Sequence, residues 1–380
     1  MQEKASDKPG KRLALFFDGT WNDPADNTNV WRLHSLAAEC NSADRVPQRK
    51  YYDPGVGTHW ADRLTGGAVG YGLSQNVRQG YQWLMDQYER GDQVFLFGFS
   101  RGAFTARSLA GFIASCGLLK PGSPVSVPQL FDRYRLRKDA LPRHKIDWEV
   151  EAGRQDQLSA EDLLLWKYSP RIPIRFIGVW DTVGALGPRW FRTWLYGRKS
   201  AYFHNTNLSV IVEHAYQALA VDEHRAEYKG ILWTRFIPKN EEPSPLKTQV
   251  EQRWFIGAHA NVGGGYRMDS VAQIPLCWMQ QKAIDCGLHF RERVTVEGTE
   301  HKAQPKDSYA EFLAGIYCRL KRRYFRIIGR DRMRNALGFD EPINEVVDES
   351  VRQKYREDAT YRPRNLIEWA KRKGVDLTRP

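Results

Sequence analysis

Residues 94–111 read VFLFGFSRGAFTARSLAG. An apolar run ends in Gly98-Phe99-Ser100-Arg101-Gly102, and helix-like sequence follows at once. This is the G-x-S-x-G pattern with a strand before it and a helix after it. A serine on such a sharp turn takes strained backbone angles. Its neighbours two residues away must then lack a Cβ, or they clash with the adjoining strand and helix. The helix N-terminus directs partial positive charge at the turn, and the Arg101 N–H is placed to donate to an oxyanion. The competing interpretation is a glycine-flanked serine that only caps the helix.

A serine hydroxyl alone is a poor nucleophile, so a base and an orienting acid are expected downstream, in the chain order Ser, Asp or Glu, His. FIGVWDTVGALG (176–187) puts Asp181 just after an apolar strand, and RWFIGAHANVGGGY (253–266) puts His259 in the matching place after a later one. Both fall beyond the carboxyl ends of strands, where ligands bind in open α/β sheets. Asp181 as a turn cap and His259 as a packed, hydrogen-bonded residue are the plainer alternatives. Asp222 and Glu223 are competing acids, and His214 and His224 competing bases. The first strand runs into FFDGTWN (16–22), where a backbone N–H of Gly19 or Thr20 would complete an oxyanion hole and Asp18 would brace the turn. The D-G-T tripeptide does not make an aspartyl phosphatase loop, because the nucleophilic Asp would have to stand at Phe16. GVGTHWADRLTGGAVGYG (55–72) lacks the G-K-[ST] ending of a phosphate-binding loop and reads instead as a loop lining the site.

Strand and helix periods alternate around these motifs. RLALFFD (12–18), RKYYD (49–53), QVFLFGF (93–99), PIRFIGVWD (173–181), YKGILWTRFIP (228–238) and EQRWFIGAH (251–259) read as strands. NTNVWRLHSLAAEC (27–40), residues 73–91, 101–119, LSVIVEHAYQALAVDE (208–223) and 269–287 read as helices. The fold class expected is therefore α/β, a mostly parallel sheet with helices on both faces. Residues 11–380 read as one catalytic unit, with 301–380 as a helical appendage.

The chain has 380 residues, 42% of them hydrophobic and 12% aromatic, enough for a large core. No apolar run approaches the roughly 18–20 residues of a membrane span, and the polar start MQEKASDKPGKR lacks a signal-peptide core. Synthesis in the cytoplasm without classical export is the expectation. Five scattered cysteines form no C-x-x-C pair, so neither a zinc site nor a disulfide framework is expected. The net charge of +12 favours anionic partners. Residues 319–334, RLKRRYFRIIGRDRMR, hold eight Lys/Arg against one Asp, as a helix lying on an anionic membrane would, or as a solvated basic helix face. Residues 182–205 are dense in aromatics and cations and suit either a lid at a lipid interface or a cap over the sheet. No nucleic-acid module is visible.

Taken together, LFFDGTWN, YYDPGVGT, GFSRGAFTARSLAG, GVWDTVGALG, AYQALAVDEHR, WFIGAHANVGGGY and YRPRNL resemble the catalytic-domain family of type VI secretion phospholipase effectors, within the α/β-hydrolases. The resemblance runs from about Arg12 to Leu366. It implies a Ser100–Asp181–His259 triad and hydrolysis of phospholipid acyl esters with no metal or cofactor. It also implies delivery by a specialised secretion system. One departure stands out. The family pattern after the histidine reads H-x-D-V-G-G-G-Y, and here Asn261 replaces the Asp. A soluble carboxylesterase and a non-catalytic basic binding protein on the same scaffold are the other expectations.

Overall fold

The computed structural model describes residues 10–19, 22, 24–40, 44–55, 68–136, 140–184, 208–243, 245–267, 269–335 and 337–379. Five strands come first along the chain: β1 (Arg12–Phe17), β2 (Gln48–Asp53), β3 (Gln93–Phe99), β4 (Ile174–Trp180) and β5 (Val212–Ala220). With β7 (Gln249–Phe255) and β10 (Glu345–Val347) they form a seven-stranded sheet of order β10-β7-β5-β4-β3-β1-β2. Every pairing in it is parallel.

The reason for that architecture is visible in β1. Leu13, Leu15 and Phe17 enter one core, while the intervening Ala14 and Phe16 enter another. A strand apolar on both sides must be covered on both sides. Helices α2 (Ala68–Gln87) and α3 (Arg101–Cys116) supply Val77, Tyr81, Leu84 and Leu109 to the first core. Helix α1 (Asn29–Leu36) and the late helix Gln273–Asp285 supply Val30, Leu33, Leu276 and Met279 to the second. The fold is of the α/β-hydrolase type, with β3 inside the sheet between β4 and β1. Three peripheral helices, α4 (Val127–Leu136), α5 (Arg143–Glu151) and α6 (Ala160–Tyr168), fill the span between α3 and β4. Among the described residues, no helix is long and apolar enough to cross a membrane.

Three expectations change. Residues 208–223 are not an amphipathic helix: their centre is β5, held between β4 and β7. Residues 215–220 are all buried, so the strand has no exposed side to give an alternating pattern, and its alanines mimic a helix. Gln217, which would mark the polar face of such a helix, is fully buried and donates to Gln252 Oε1 at 3.0 Å. Residues 228–238 contribute only β6 (Thr234–Pro238), which pairs antiparallel with β9 (Gly338–Pro342) in a small sheet completed by β8 (Met333–Arg334). The basic stretch 319–334 is not one helix either. A short helix ends at Leu320, and the chain then runs extended, with Arg326 and Ile328 buried and Ile327 exposed between them. Burial with a period of two is that of an extended segment laid on the fold. The C-terminal region does carry helices, at Glu349–Glu357 and Arg364–Lys373, and it also adds β10 to the edge of the main sheet.

Candidate active site

The turn between β3 and α3 holds Ser100 at φ 58° and ψ −118°, a left-handed strain that few side chains adopt. The two flanking glycines explain themselves sterically. A Cβ on Gly98 would sit 2.5 Å from the Gly102 carbonyl oxygen, and one on Gly102 would sit 2.1 Å from that of Phe17. The helix start is thus pressed against the end of β1, and no larger residue fits. The turn is tied down further by the Ser100 N–H, which donates to Trp180 O at the end of β4.

Ser100, His259 and Asp181 stand in a row. Asp181 follows β4, and His259 opens a short helix, α7 (His259–Gly263), just after β7. His259 Nδ1–H donates to Asp181 Oδ2 at 2.5 Å, and its Nε2 accepts from the Ser100 hydroxyl at 2.8 Å. All three are buried, Asp181 completely. Phe99 and Tyr228 wall the imidazole, with ring centroids 4.7 and 4.9 Å away. Such an arrangement can pass the serine proton to the imidazole while the carboxylate fixes the tautomer.

Residues that the sequence did not single out surround this row. Arg326 grips both oxygens of the Asp181 carboxylate, Nη1 on Oδ1 at 2.5 Å and Nη2 on Oδ2, the oxygen that also takes the His259 bond, at 2.9 Å. Burial pushes the Asp181 carboxyl up, but Arg326 and His259 outweigh it and hold the group well below the usual carboxylate range. Glu223, one of the competing acids, is not in the row. It accepts from the His259 backbone N–H at 3.2 Å, from Ser308 Oγ at 3.1 Å and from the Arg225 side chain. Burial raises its carboxyl and the Arg225 pairing lowers it further, to about 2. Asp222 accepts from Gly257 N and the Tyr361 hydroxyl. His224 bonds Tyr324 O, and His214 pairs with Gln249 at the amino end of β5. No short-range pattern could have found Arg326, which lies 145 positions from Asp181.

The oxyanion expectation changes at one residue. The Gly19 N–H donates to Asp18 Oδ1 at 2.7 Å, so that amide is committed to the turn. Asp18 braces the turn as expected, its other oxygen accepting from Thr28 and Tyr52. Thr20 lies outside the described residues, as does most of 182–205, from 185 on. Arg101 is the first residue of α3, so its N–H faces out of the helix's N-terminal end. A cavity of ≈ 470 Å³ lined by Glu39, Arg49, Lys50 and Trp83 lies at the amino end of β2, away from this row. Among the described residues, no group of His, Cys, Asp and Glu could hold a metal ion.

Asn261 has a local explanation. Its Oδ1 accepts from Ala258 N at 3.0 Å, closing the start of the histidine's helix, and its Nδ2 donates to Asp269 Oδ2 at 3.0 Å. An aspartate at 261 would keep the first contact and turn the second into a buried carboxylate against the half-buried one of Asp269. Asn261→Asp is therefore expected to destabilise the fold by about 1–3 kcal/mol. Adding Asp269→Asn should recover most of that loss. Urea denaturation of the single and double variants at pH 7 measures the coupling; additive losses would show that the pair does not interact.

A model of the family described as "T6SS, Phospholipase effector Tle1-like, catalytic domain" matches residues 11–282. The chain is also 30% identical over 250 residues to the uncharacterized protein YEL023C of Saccharomyces cerevisiae, a match covering 60% of this chain and 34% of that one. It thus spans about a third of the length of that curated relative. Among solved structures it is similar to an uncharacterized protein from Pseudomonas aeruginosa, with a TM-score of 0.40, 18% identity and coverage of 82% of this chain and 51% of that one. It is also similar to the Tle1 effector bound to the VgrG spike of the Type 6 secretion system, with a TM-score of 0.34, 18% identity and coverage of 68% and 52%. The family match takes in well over half of the sequence, from β1 through the histidine loop, and the chain accordingly belongs to the family of Tle1-like phospholipase effectors of the type VI secretion system, as a catalytic domain.

Proposed function

We propose that this protein hydrolyses acyl esters of phospholipids through an acyl-enzyme on Ser100. The observation that carries the reading is the buried hydrogen-bonded row from Ser100 through His259 to Asp181. Ser100 Oγ attacks the ester carbonyl as its proton passes to His259 Nε2. Asp181 stabilises the imidazolium through Nδ1–H, and His259 returns the proton to the departing alcohol. Water, activated by the same imidazole, then releases the fatty acid. The Arg101 N–H, with a second donor from the loop after β1, would hold the oxyanion. Family membership supports both the hydrolase class and delivery through a type VI apparatus, and residues 11–380 act as one catalytic unit on this reading.

A lipid substrate is further supported by the surface beside the row. Phe312 and Tyr317 pack against each other, and Phe312 in turn packs against Tyr228, the wall of His259. On the same segment Ile316 and Leu320 are 54% and 76% exposed, with the exposed Arg319, Lys321 and Arg322 beside them. Apolar side chains flanked by cations suit an anionic membrane surface.

The test is release of free fatty acid from vesicles of phosphatidylcholine and phosphatidylglycerol, with p-nitrophenyl esters run alongside. Vesicle turnover well above soluble-ester turnover is expected. Ile316→Glu with Leu320→Glu should lower the vesicle rate about tenfold more than the soluble-ester rate, since both the apolar contact and the charge match are lost. Cleavage of soluble esters alone would make the protein a carboxylesterase.

A further inference from the structure

The described residues that the reaction above leaves unused include one buried cation placed directly on its acid. We infer that Arg326 is a positioning residue of the active site: its guanidinium fork sets the plane of the Asp181 carboxylate and the wall of His259 together. The inference rests on the proposed triad and goes beyond it, because Arg326 lies outside the residues matched by the family model.

The argument begins with the number of bonds Asp181 has without it. The carboxylate is completely buried, at the end of a strand, and its own residue sits at φ 42°, a left-handed conformation. Besides Arg326, it accepts among the described residues from Ala220 N at 3.1 Å on Oδ1 and from His259 Nδ1 on Oδ2. Those two donors leave half of the carboxylate's roughly four acceptor sites unmet. The guanidinium closes both oxygens at once in a bidentate pair, a geometry that fixes orientation as well as charge.

The same guanidinium has two further bonds. Nη1 donates to Ala220 O at 3.1 Å and Nη2 donates to Tyr228 O. One planar group therefore joins the end of β4, the end of β5 and the 3-10 turn Ala226–Tyr228, whose tyrosine ring stands edge-on to the imidazole. Arg326 is itself only 3% exposed. A purely electrostatic role would be self-defeating, because a cation against Asp181 offsets part of the negative charge that stabilises the imidazolium. Orientation is what remains. Two buried ion pairs lie beside the imidazole, Asp181 with Arg326 and Glu223 with Arg225.

The experiment is chemical rescue. Arg326→Ala leaves a guanidinium-shaped space beside a buried carboxylate. Its kcat on soluble esters is expected to fall about 100-fold, the size of effect expected for a misplacement of about an ångström, with KM little changed. Millimolar guanidinium, well below denaturing concentrations, should restore much of the loss, while potassium chloride at equal ionic strength should not. Arg326→Lys keeps the charge but not the fork and should also lose kcat at unchanged KM. Near-wild-type kcat in either variant overturns the inference. So does a folded Ala variant, verified by near-UV circular dichroism, whose loss guanidinium fails to restore. Should the Ala variant not fold, the kcat of the Lys variant decides. Failure of the triad itself looks different: turnover by the wild-type protein would then survive Ser100→Ala.

Discussion

Ser100→Ala is expected to lower kcat by about 10⁴- to 10⁶-fold on any acyl ester the protein cleaves, which is roughly 5–8 kcal/mol of barrier. The magnitude follows from the row of bonds in which the serine stands. The hydroxyl is the sole donor to His259 Nε2 among the described residues, so no neighbouring group can take over the attack. The alanine variant should keep the fold, because the Ser100 backbone, not its hydroxyl, ties the turn to Trp180. Ser100→Gly goes one step further. A residue held at φ 58° and ψ −118° is strained unless it is glycine. The glycine variant should therefore melt at a higher temperature than wild type while being as inactive as the alanine one. Covalent labelling by a fluorophosphonate, together with calorimetry, tests both halves. Labelling of the alanine variant, or wild-type turnover in it, would remove Ser100 from the reaction.

The largest effect on stability is expected at Gly102. An added Cβ would lie 2.1 Å from Phe17 O and 2.4 Å from Asp18 O, both backbone atoms that no side-chain rotation can move. Helix α3 and strand β1 would have to separate, and the overpacking should cost about 3 kcal/mol or more. A fall in Tm of roughly 5 °C or more is expected, with activity lost beyond what the unfolded fraction explains, since the nucleophile's turn moves too. Gly153→Ala is the comparison. Gly153 has a positive φ of 73° but open space around it, so alanine there should cost only about 1 kcal/mol. Equal melting losses in the two variants would show that backbone angle, and not close approach, governs Gly102.

What was legible in the sequence had short range. The strand–turn–helix at Val94–Gly111 carries its own signal in two glycines and a change of period, and Asp181 and His259 each directly follow an apolar strand. Strand β5 is not legible as a strand because burial on both faces removes the alternation that marks one, leaving alanines and valines at spacings a helix would also show. The basic stretch misleads for a related reason: its charge is counted along the chain, but Arg326 is buried while Arg319, Lys321 and Arg322 are exposed. Composition cannot separate a buried guanidinium from an exposed one. The Asp269 partner of Asn261 is nearby in sequence, yet only the turn of the glycine loop brings the two within 3.0 Å.

The position of Arg326 in the chain also bears on how the protein is made. Synthesis is vectorial, and strands β1 through β7 leave the ribosome well before residue 326 does. The parallel edge strand β10 follows later still. Long-range pairings of this kind form slowly and late. On the proposed function, a nascent chain already holding Ser100, Asp181 and His259 would still lack the fork that aligns them. The row would gain its alignment only once residue 326 has been made and packed against Asp181.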